Sequence, residues 1–249
     1  MDEKKNIRLT IEYDGTGRHG WQRQKNGVTI QEVLEENLKV ILGETVILIG
    51  SGRTDAGVHA LQQVCNFITV SDIAPEALRR GMNSLLRDGD IFILKAEYVP
   101  AEFHSRYSVK SKTYEYRVWN RKEKNIFLRH FTWHVREILE IEKMKECLSL
   151  LLGRHDFSSF KSSGSKNKDP VREMIRADVF SNEEGLVTFV FEADGFLRHM
   201  VRNIVGTVID VGKGRTGVNE FAEILSSLDR KKAGIKAPPQ GLFLTMVKY

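Results

Sequence analysis

The order of apolar patterns in the first hundred residues constrains the fold of this chain most strongly. Apolar and polar side chains alternate over residues 7–13, which is the period of a half-buried strand. A capping box of Thr29 and Glu32 then opens an amphipathic helix that ends at Gly43. The remaining predicted elements are strands over 46–49, 64–70 and 91–99 and a helix over 75–86. This βαββαβ order is that of the ferredoxin-like split motif, with both helices on one face of an antiparallel sheet.

The second half of the chain repeats this order with additions. Its predicted elements are strands over 112–119, 174–180, 186–192 and 242–249 and helices over 141–152, 198–211 and 219–228. We therefore predict an α+β fold of two ferredoxin-like halves, with antiparallel sheets related by a pseudo-twofold axis. The expected domains are residues 1–105 and 106–249, and the cleft between them is where ligands commonly settle.

Charge and cysteine content restrict the class of protein. The net charge of +5 suits a polyanionic partner, although many basic proteins bind no nucleic acid. No apolar run approaches the roughly 18 residues of a membrane span, and we expect a cytoplasmic protein. Cys65 and Cys147 form no CxxC pair, and His130 and His134 flank aromatic residues typical of a strand. We predict neither a disulfide framework nor a metal site.

The segment 50–60, between two predicted strands, is longer than the roughly two to five residues that a hairpin needs. It contains three glycines, together with Arg53, Asp55 and His59. By composition alone, it reads as a surface connection in which Asp55 bonds the backbone of its own turn. That interpretation leaves the length and the three polar side chains unexplained.

The sequence Arg-Thr-Asp-Ala-Gly-Val-His-Ala at residues 53–60 resembles the signature of the tRNA pseudouridine synthase A family. Further matches follow in order at residues 12–15, 20–24, 103–106, 114–116, 199–206 and 241–244. The resemblance implies isomerisation of uridine to pseudouridine at positions 38, 39 and 40 in the anticodon stem-loop of tRNA. It also implies a homodimer, an active site in the cleft, and chemistry that needs no cofactor and no metal.

By resemblance, Asp55 is the catalytic carboxylate. It would attack C6 of the uracil, or act at the sugar by adding to C1′ or removing a proton from C2′, and the sequence does not choose among these routes. Arg202 is the candidate cation that keeps Asp55 ionised. Arg198 and Arg202 are expected on the same face of one helix, and the alternative for them is a solvated basic stripe.

Three further side chains receive roles from the same resemblance. Tyr114, which with Tyr116 would otherwise be a core residue of a strand, would stack on the target uracil and help to move the C5 proton. Leu242 would form an apolar wall against the base. Arg53 would fill the space left by the flipped nucleotide, and its alternative is a plain surface cation.

Basic clusters elsewhere are candidates for phosphate contacts, and none is assigned individually. They lie at residues 79–80, 110–112, 166–168 and 230–232. Two other functions stay open. One is a non-catalytic RNA-binding module or folding helper, and the other is a hydrolytic glycosidase, which would need a second acid near Asp55.

Overall fold

The computed structural model describes residues 4–87, 89–162 and 169–249, which form an α+β protein as predicted. The chain divides into two compact units. Unit 1 consists of Met1–Lys110 and Leu244–Tyr249, and unit 2 consists of Ser111–Phe243. Among the described helices, none is long and apolar enough to cross a membrane.

Unit 1 contains the βαββαβ order that the sequence predicts. Its elements are β1 (Lys5–Tyr13), α1 (Ile30–Leu42), β2 (Ile49–Gly50), β3 (His59–Thr69), α2 (Pro75–Leu85) and β4 (Ile91–Val99), joined by most of β10 (Leu242–Lys248). The strands lie in the order β4-β1-β3-β10, and the short β2 also pairs with β3. Strand β1 is antiparallel to both of its neighbours.

The local signals for these elements are visible in the structure. The alternate residues Ile7, Leu9 and Ile11 of β1 are fully buried, which accounts for the period-two pattern. The Thr29 hydroxyl accepts the first-turn amide of α1, and Gly43 ends that helix with a left-handed φ of 71°.

Two boundaries in unit 1 were predicted wrongly. The strand expected over 46–49 is reduced to Ile49–Gly50, because the preceding residues pair with no other strand in the described part of the chain. Strand β3 begins at His59 instead of 64, so the irregular loop between β2 and β3 spans only residues 51–58.

Unit 2 combines mostly antiparallel strands with three helices among its described residues. Its elements are β5 (Ser111–Trp119), β6 (Trp133–His134), α3 (Ile141–Ser149), β7 (Gly153–Asp156), β8 (Val171–Ser181), β9 (Leu186–Ala193), α4 (Met200–Gly212) and α5 (Val218–Ser226). The strands lie in the order β5-β9-β8-β7, and β6 runs parallel to β5. Strands β6 and β7 are too short to show a clear alternation of apolar and polar residues, and the sequence predicted no strand range for either. For β6, the sequence signal was limited to the aromatic residues near His134, which are typical of a strand.

Helix α4 is the central element of unit 2. Nearly every residue from Met200 to Gly212 is buried, so the helix is enclosed by protein on almost all sides. At Gly206, an added Cβ would lie 1.7 Å from the carbonyl oxygen of Ile235, so only glycine lets this chain segment approach the helix. The start of α4 is therefore fixed against the segment 235–237.

Candidate functional site

The loop 51–58 is a tight, ordered turn at its far end. The Val58 amide donates to the Asp55 carbonyl at 3.1 Å, and Gly57 takes a left-handed φ of 77°. Asp55 is half-buried, whereas Arg53 and Ala56 are exposed. The loop therefore holds the backbone of Asp55 in one conformation, partly withdrawn from solvent.

Residues 13–21, which we call the clamp segment, pack along one side of this loop. The Trp21 amide donates to the Thr54 carbonyl at 3.2 Å, and the Gly57 amide donates to the Arg18 carbonyl at 3.3 Å. An added Cβ on Gly20 would lie 2.5 Å from the Thr54 carbonyl oxygen, which leaves space only for glycine there. The clamp segment overlaps the matched motifs at residues 12–15 and 20–24, and its backbone supports the residues on both sides of Asp55.

The same segment also holds the end of the loop. The Gly15 amide donates to Nδ1 of the buried His59 at 3.0 Å, and a carboxylate oxygen of Asp14 lies at the same distance from that nitrogen. An added Cβ on Gly15 would lie 2.1 Å from the Val58 carbonyl oxygen. Gly15 and Gly20 of the matched motifs thus let the clamp segment pack closely against the loop, and His59 accepts a hydrogen bond from it.

A buried polar network holds the other side of the loop. The amide oxygen of Gln63 accepts the Ser51 hydroxyl at 2.6 Å, and its nitrogen donates to the Gly52 carbonyl at 3.1 Å. The hydroxyls of Tyr13 and Thr54 lie 2.8 Å apart. Burial raises the pKa of the Tyr13 hydroxyl well above its ordinary value, while its bonds to Thr54 and Gln63 act in the opposite direction.

Arg53 lies on the exposed side of the loop. Its Nε donates to the side-chain oxygen of Gln22 at 3.2 Å, which ties it to the second matched motif. The guanidinium is therefore oriented by Gln22 and accessible to solvent.

Tyr114 lies on β5 with only 8% of its surface exposed. Its ring meets Phe196 edge to face, with centroids 5.0 Å apart. The neighbouring Tyr116 is fully buried and donates to the Pro238 carbonyl at 2.7 Å. Burial raises the pKa of Tyr116 well above its ordinary value, with Arg202 acting weakly in the opposite direction. Tyr116 is thus a structural residue, and Tyr114 is the less enclosed member of the pair.

Arg202 is buried in the first turn of α4, with 6% of its surface exposed. Its Nε donates to the Ala237 carbonyl at 2.7 Å, and the Ala237 amide donates back to the Arg202 carbonyl at 3.0 Å. A guanidinium buried to this degree is stable only among polar or anionic partners.

The expectation that Arg198 and Arg202 share one helical face is wrong. Helix α4 begins at Met200, because His199 takes a left-handed φ of 64° that interrupts the helical path. Arg198 consequently lies in the preceding turn and is exposed, while Arg202 is buried. The two guanidinium groups therefore do not share one face of the helix, either as a pair near an anion or as a solvated basic stripe.

Leu242 is the first residue of β10 and is buried. It follows Gly241, where an added Cβ would lie 2.7 Å from the Tyr116 ring and from the Arg117 carbonyl oxygen. Helix α4 and the turn before Leu242 both pack against β5. Unit 2 thus brings Tyr114, Arg202 and Leu242 onto mutually packed elements, whereas Arg53 and Asp55 belong to unit 1.

The basic clusters differ in the partners that their side chains contact. Arg79 pairs with Glu76 at 2.7 Å, and Arg230 donates to Asn203 at 3.1 Å and to the Ala233 carbonyl at 3.0 Å. The cluster at 166–168 lies outside the described residues. Across residues 4–87, 89–162 and 169–249, no three His, Cys, Asp or Glu side chains are placed to hold a metal ion.

Sequence reasoning missed Tyr13, Thr54 and Gln63 as individual contributors. Tyr13 and Thr54 lie inside matched motifs, so their positions were marked while their contacts were not. Gln63 stands beside another glutamine in the middle of a strand, and no local pattern distinguishes the buried one from the exposed one.

Comparison of the sequence with known proteins identifies the family to which the chain belongs. The profile of the family described as tRNA pseudouridine synthase matches residues 9–108 and 148–249. The chain is 48% identical to a tRNA pseudouridine synthase A of Thermoanaerobacter sp. (strain X514), covering 98% of this chain and 100% of that protein. Proteins of the same name from Acetivibrio thermocellus (46% identity, 98% of this chain and 100% of that protein) and Syntrophotalea carbinolica (42%, 98% and 96%) are also similar. The chain belongs to the tRNA pseudouridine synthase family, which confirms the resemblance seen in its motifs.

Proposed function

We propose that this protein isomerises uridine to pseudouridine at positions 38, 39 and 40 of the tRNA anticodon stem-loop, with Asp55 as the catalytic carboxylate. The observation that carries the proposal is the loop 51–58, in which the family signature is held by bonds from the clamp segment and from Gln63. A loop that only joined two strands would need no such support around one half-buried acid.

The reaction breaks the bond between ribose C1′ and N1 of the base and forms one between C1′ and C5. The proton on C5 is lost and N1 gains one, so the conversion is redox-neutral and leaves no water incorporated. A carboxylate suits this chemistry as a nucleophile or as a base. Attack at C6 and chemistry at the ribose both fit a carboxylate at this position.

Arg202 is proposed to keep Asp55 ionised. An acid withdrawn from water becomes harder to ionise unless a cation compensates, and a buried guanidinium supplies a permanent charge. The burial of Arg202 and its fixed Nε bond to Ala237 support this role.

Tyr114 is proposed to stack on the target uracil and to assist loss of the C5 proton, with Leu242 as an apolar wall. The small exposed fraction of Tyr114 and the burial of Leu242 support these roles. The target nucleotide must leave its helical stack, at a cost of a few kcal/mol. The exposed Arg53 is proposed to occupy the space that it vacates.

The finer architecture is part of the same proposal. Strands β5, β9 and β8 neighbour one another in the same order as β1, β3 and β2, which supports two ferredoxin-like halves divided near residue 105. An active-site cleft between the halves, a homodimer that shares one tRNA, and a cytoplasmic location complete it.

The decisive experiment measures tritium release from tRNA that carries [5-³H]uridine, because only loss of the C5 proton releases the label. Asp55→Asn should lower the single-turnover rate by about 10²–10⁴-fold or more, with tRNA binding retained. The matched control is Asp72→Asn, which alters an almost fully exposed carboxylate of the same unit and should leave the rate unchanged.

Other outcomes would assign a different function. Full activity of Asp55→Asn would remove the catalytic assignment. Wild-type protein that binds tRNA without releasing tritium would be an RNA-binding module, and free uracil among the products would indicate a glycosidase.

A further inference from the structure

The polar contacts around the loop 51–58 come from side chains that have no assigned part in the reaction. We infer that Tyr13 and Gln63 are positioning residues, which fix the carboxylate of Asp55 by holding residues 51–54. This inference rests on the proposed function, in which Asp55 performs the chemistry.

Gln63 holds the first part of the loop. Its side chain is completely buried, although glutamine is usually exposed. The amide oxygen accepts from the Ser51 hydroxyl and from the Val64 amide at 3.1 Å, and the nitrogen donates to the Gly52 carbonyl. Both ends of the amide are therefore used to fix the chain where it leaves β2.

Tyr13 holds the residue directly before the catalytic acid. Its hydroxyl contacts the Thr54 hydroxyl at 2.8 Å, and both side chains are buried. The Thr54 carbonyl is fixed separately by the Trp21 amide at 3.2 Å. Thr54 is thus held through its side chain and its backbone, which leaves Asp55 little freedom at its N-terminal side.

The Tyr13 and Gln63 contacts act on neighbouring parts of one loop. Gln63 bonds Ser51 and Gly52, and Tyr13 bonds Thr54, two residues further on. In a buried setting, loss of one of these bonds leaves a polar group unsatisfied. We therefore expect the position of the loop to depend on both side chains.

A network that positions a catalytic group affects the rate more than binding. A displacement of about 1 Å at a reacting group costs on the order of 10²-fold in rate. A network that only stabilised unit 1 would leave the rate of the folded enzyme unchanged. The change in rate relative to the change in tRNA binding therefore distinguishes a positioning role from a role in stability alone.

The test compares Tyr13→Phe with Tyr98→Phe by single-turnover tritium release and by tRNA binding, well below the melting temperature of each variant. Tyr98 is half-exposed and donates to the Ile73 carbonyl at 3.3 Å, so it loses an equivalent hydroxyl in the same unit. We expect Tyr13→Phe to lower kcat by about 10–100-fold with little change in KM, and Tyr98→Phe to match wild type.

Variants at Thr54 supply a second measurement of the same bond, even if Tyr13→Phe folds poorly. Thr54→Ser keeps the hydroxyl and should retain most of the rate, whereas Thr54→Val keeps the shape and should lose it. The Tyr13→Phe/Thr54→Val double variant should be no slower than about the worse single variant, because both remove one interaction.

The inference is overturned if Thr54→Val and Tyr13→Phe turn over at the wild-type rate, or if kcat and KM change together. Failure of the proposed function looks different. In that case wild-type protein itself releases no tritium, or Asp55→Asn remains active.

Discussion

Gly20→Ala tests whether close contact with the clamp segment is required at the loop 51–58, which carries the proposed catalytic residue Asp55. Gly20 has a left-handed φ of 81°, and an added Cβ would lie 2.5 Å from the Thr54 carbonyl oxygen and 2.9 Å from the Asp55 carbonyl carbon. Both of these atoms are backbone, so the loop itself must move to accept a methyl group. We expect losses of both stability and activity.

The magnitude follows from two separable contributions. The left-handed conformation costs a non-glycine residue about 1–2 kcal/mol. The steric conflict adds about 1–3 kcal/mol, as in overpacked interiors. Gly43→Ala isolates the first contribution, because Gly43 has a φ of 71° and nothing within 4 Å of an added Cβ. The difference between the variants corresponds to about 2–12 °C in melting temperature for a chain of this size.

Thermal unfolding by circular dichroism measures the stability of both variants, and tritium release measures their rates. Gly20→Ala should turn over about 10²-fold more slowly than Gly43→Ala, since the displaced atoms adjoin Asp55, the proposed catalytic carboxylate. Equal melting temperatures and equal rates for the two variants would refute the reasoning.

Three further predictions concern groups enclosed in the protein. Arg202→Met should slow tritium release by about 10²–10³-fold while weakening tRNA affinity far less, and equal losses in both would indicate a phosphate contact instead. Burial raises the pKa of the Cys147 thiol to about 11, so the unfolded chain ionises first as pH rises above about 9. The contribution of this raised pKa to the free energy of unfolding is thus fully present below about pH 9 and is lost as pH rises through about 11. In denaturant titrations, Cys147→Ala should therefore reduce the loss of stability over this pH range. The buried Cys65 and Cys147 should alkylate slowly at pH 8 until the protein unfolds, and rapid labelling of native protein would contradict this.

The sequence anticipated the elements whose signals are local. The alternating residues of β1 and the caps of α1 appear as predicted, because burial and capping act within a few residues. The two-residue strand β6 is set by its partner β5, and a segment so short has too few residues to show alternation.

The errors at the candidate site have a common origin in tertiary contact. The start of α4 was placed two residues early because Arg198 and His199 give no local signal for a helix start, while the left-handed His199 reflects how the chain enters the helix. Gln63 escaped notice because its burial is compensated by Ser51 and Gly52, which lie far away in sequence. Asp55, Arg202 and Tyr114 were found through motifs, and their catalytic roles stay predictions.

The division of the chain between its two units has a consequence for biosynthesis. Residues 244–249 supply most of β10 to unit 1, where it pairs with β3, yet they are translated after the whole of unit 2. A nascent chain therefore lacks one strand of unit 1, with part of the β3 edge unpaired, while the ribosome makes unit 2. Because open strand edges invite pairing with other chains, we expect emerging polypeptides to be most prone to misassembly during that interval.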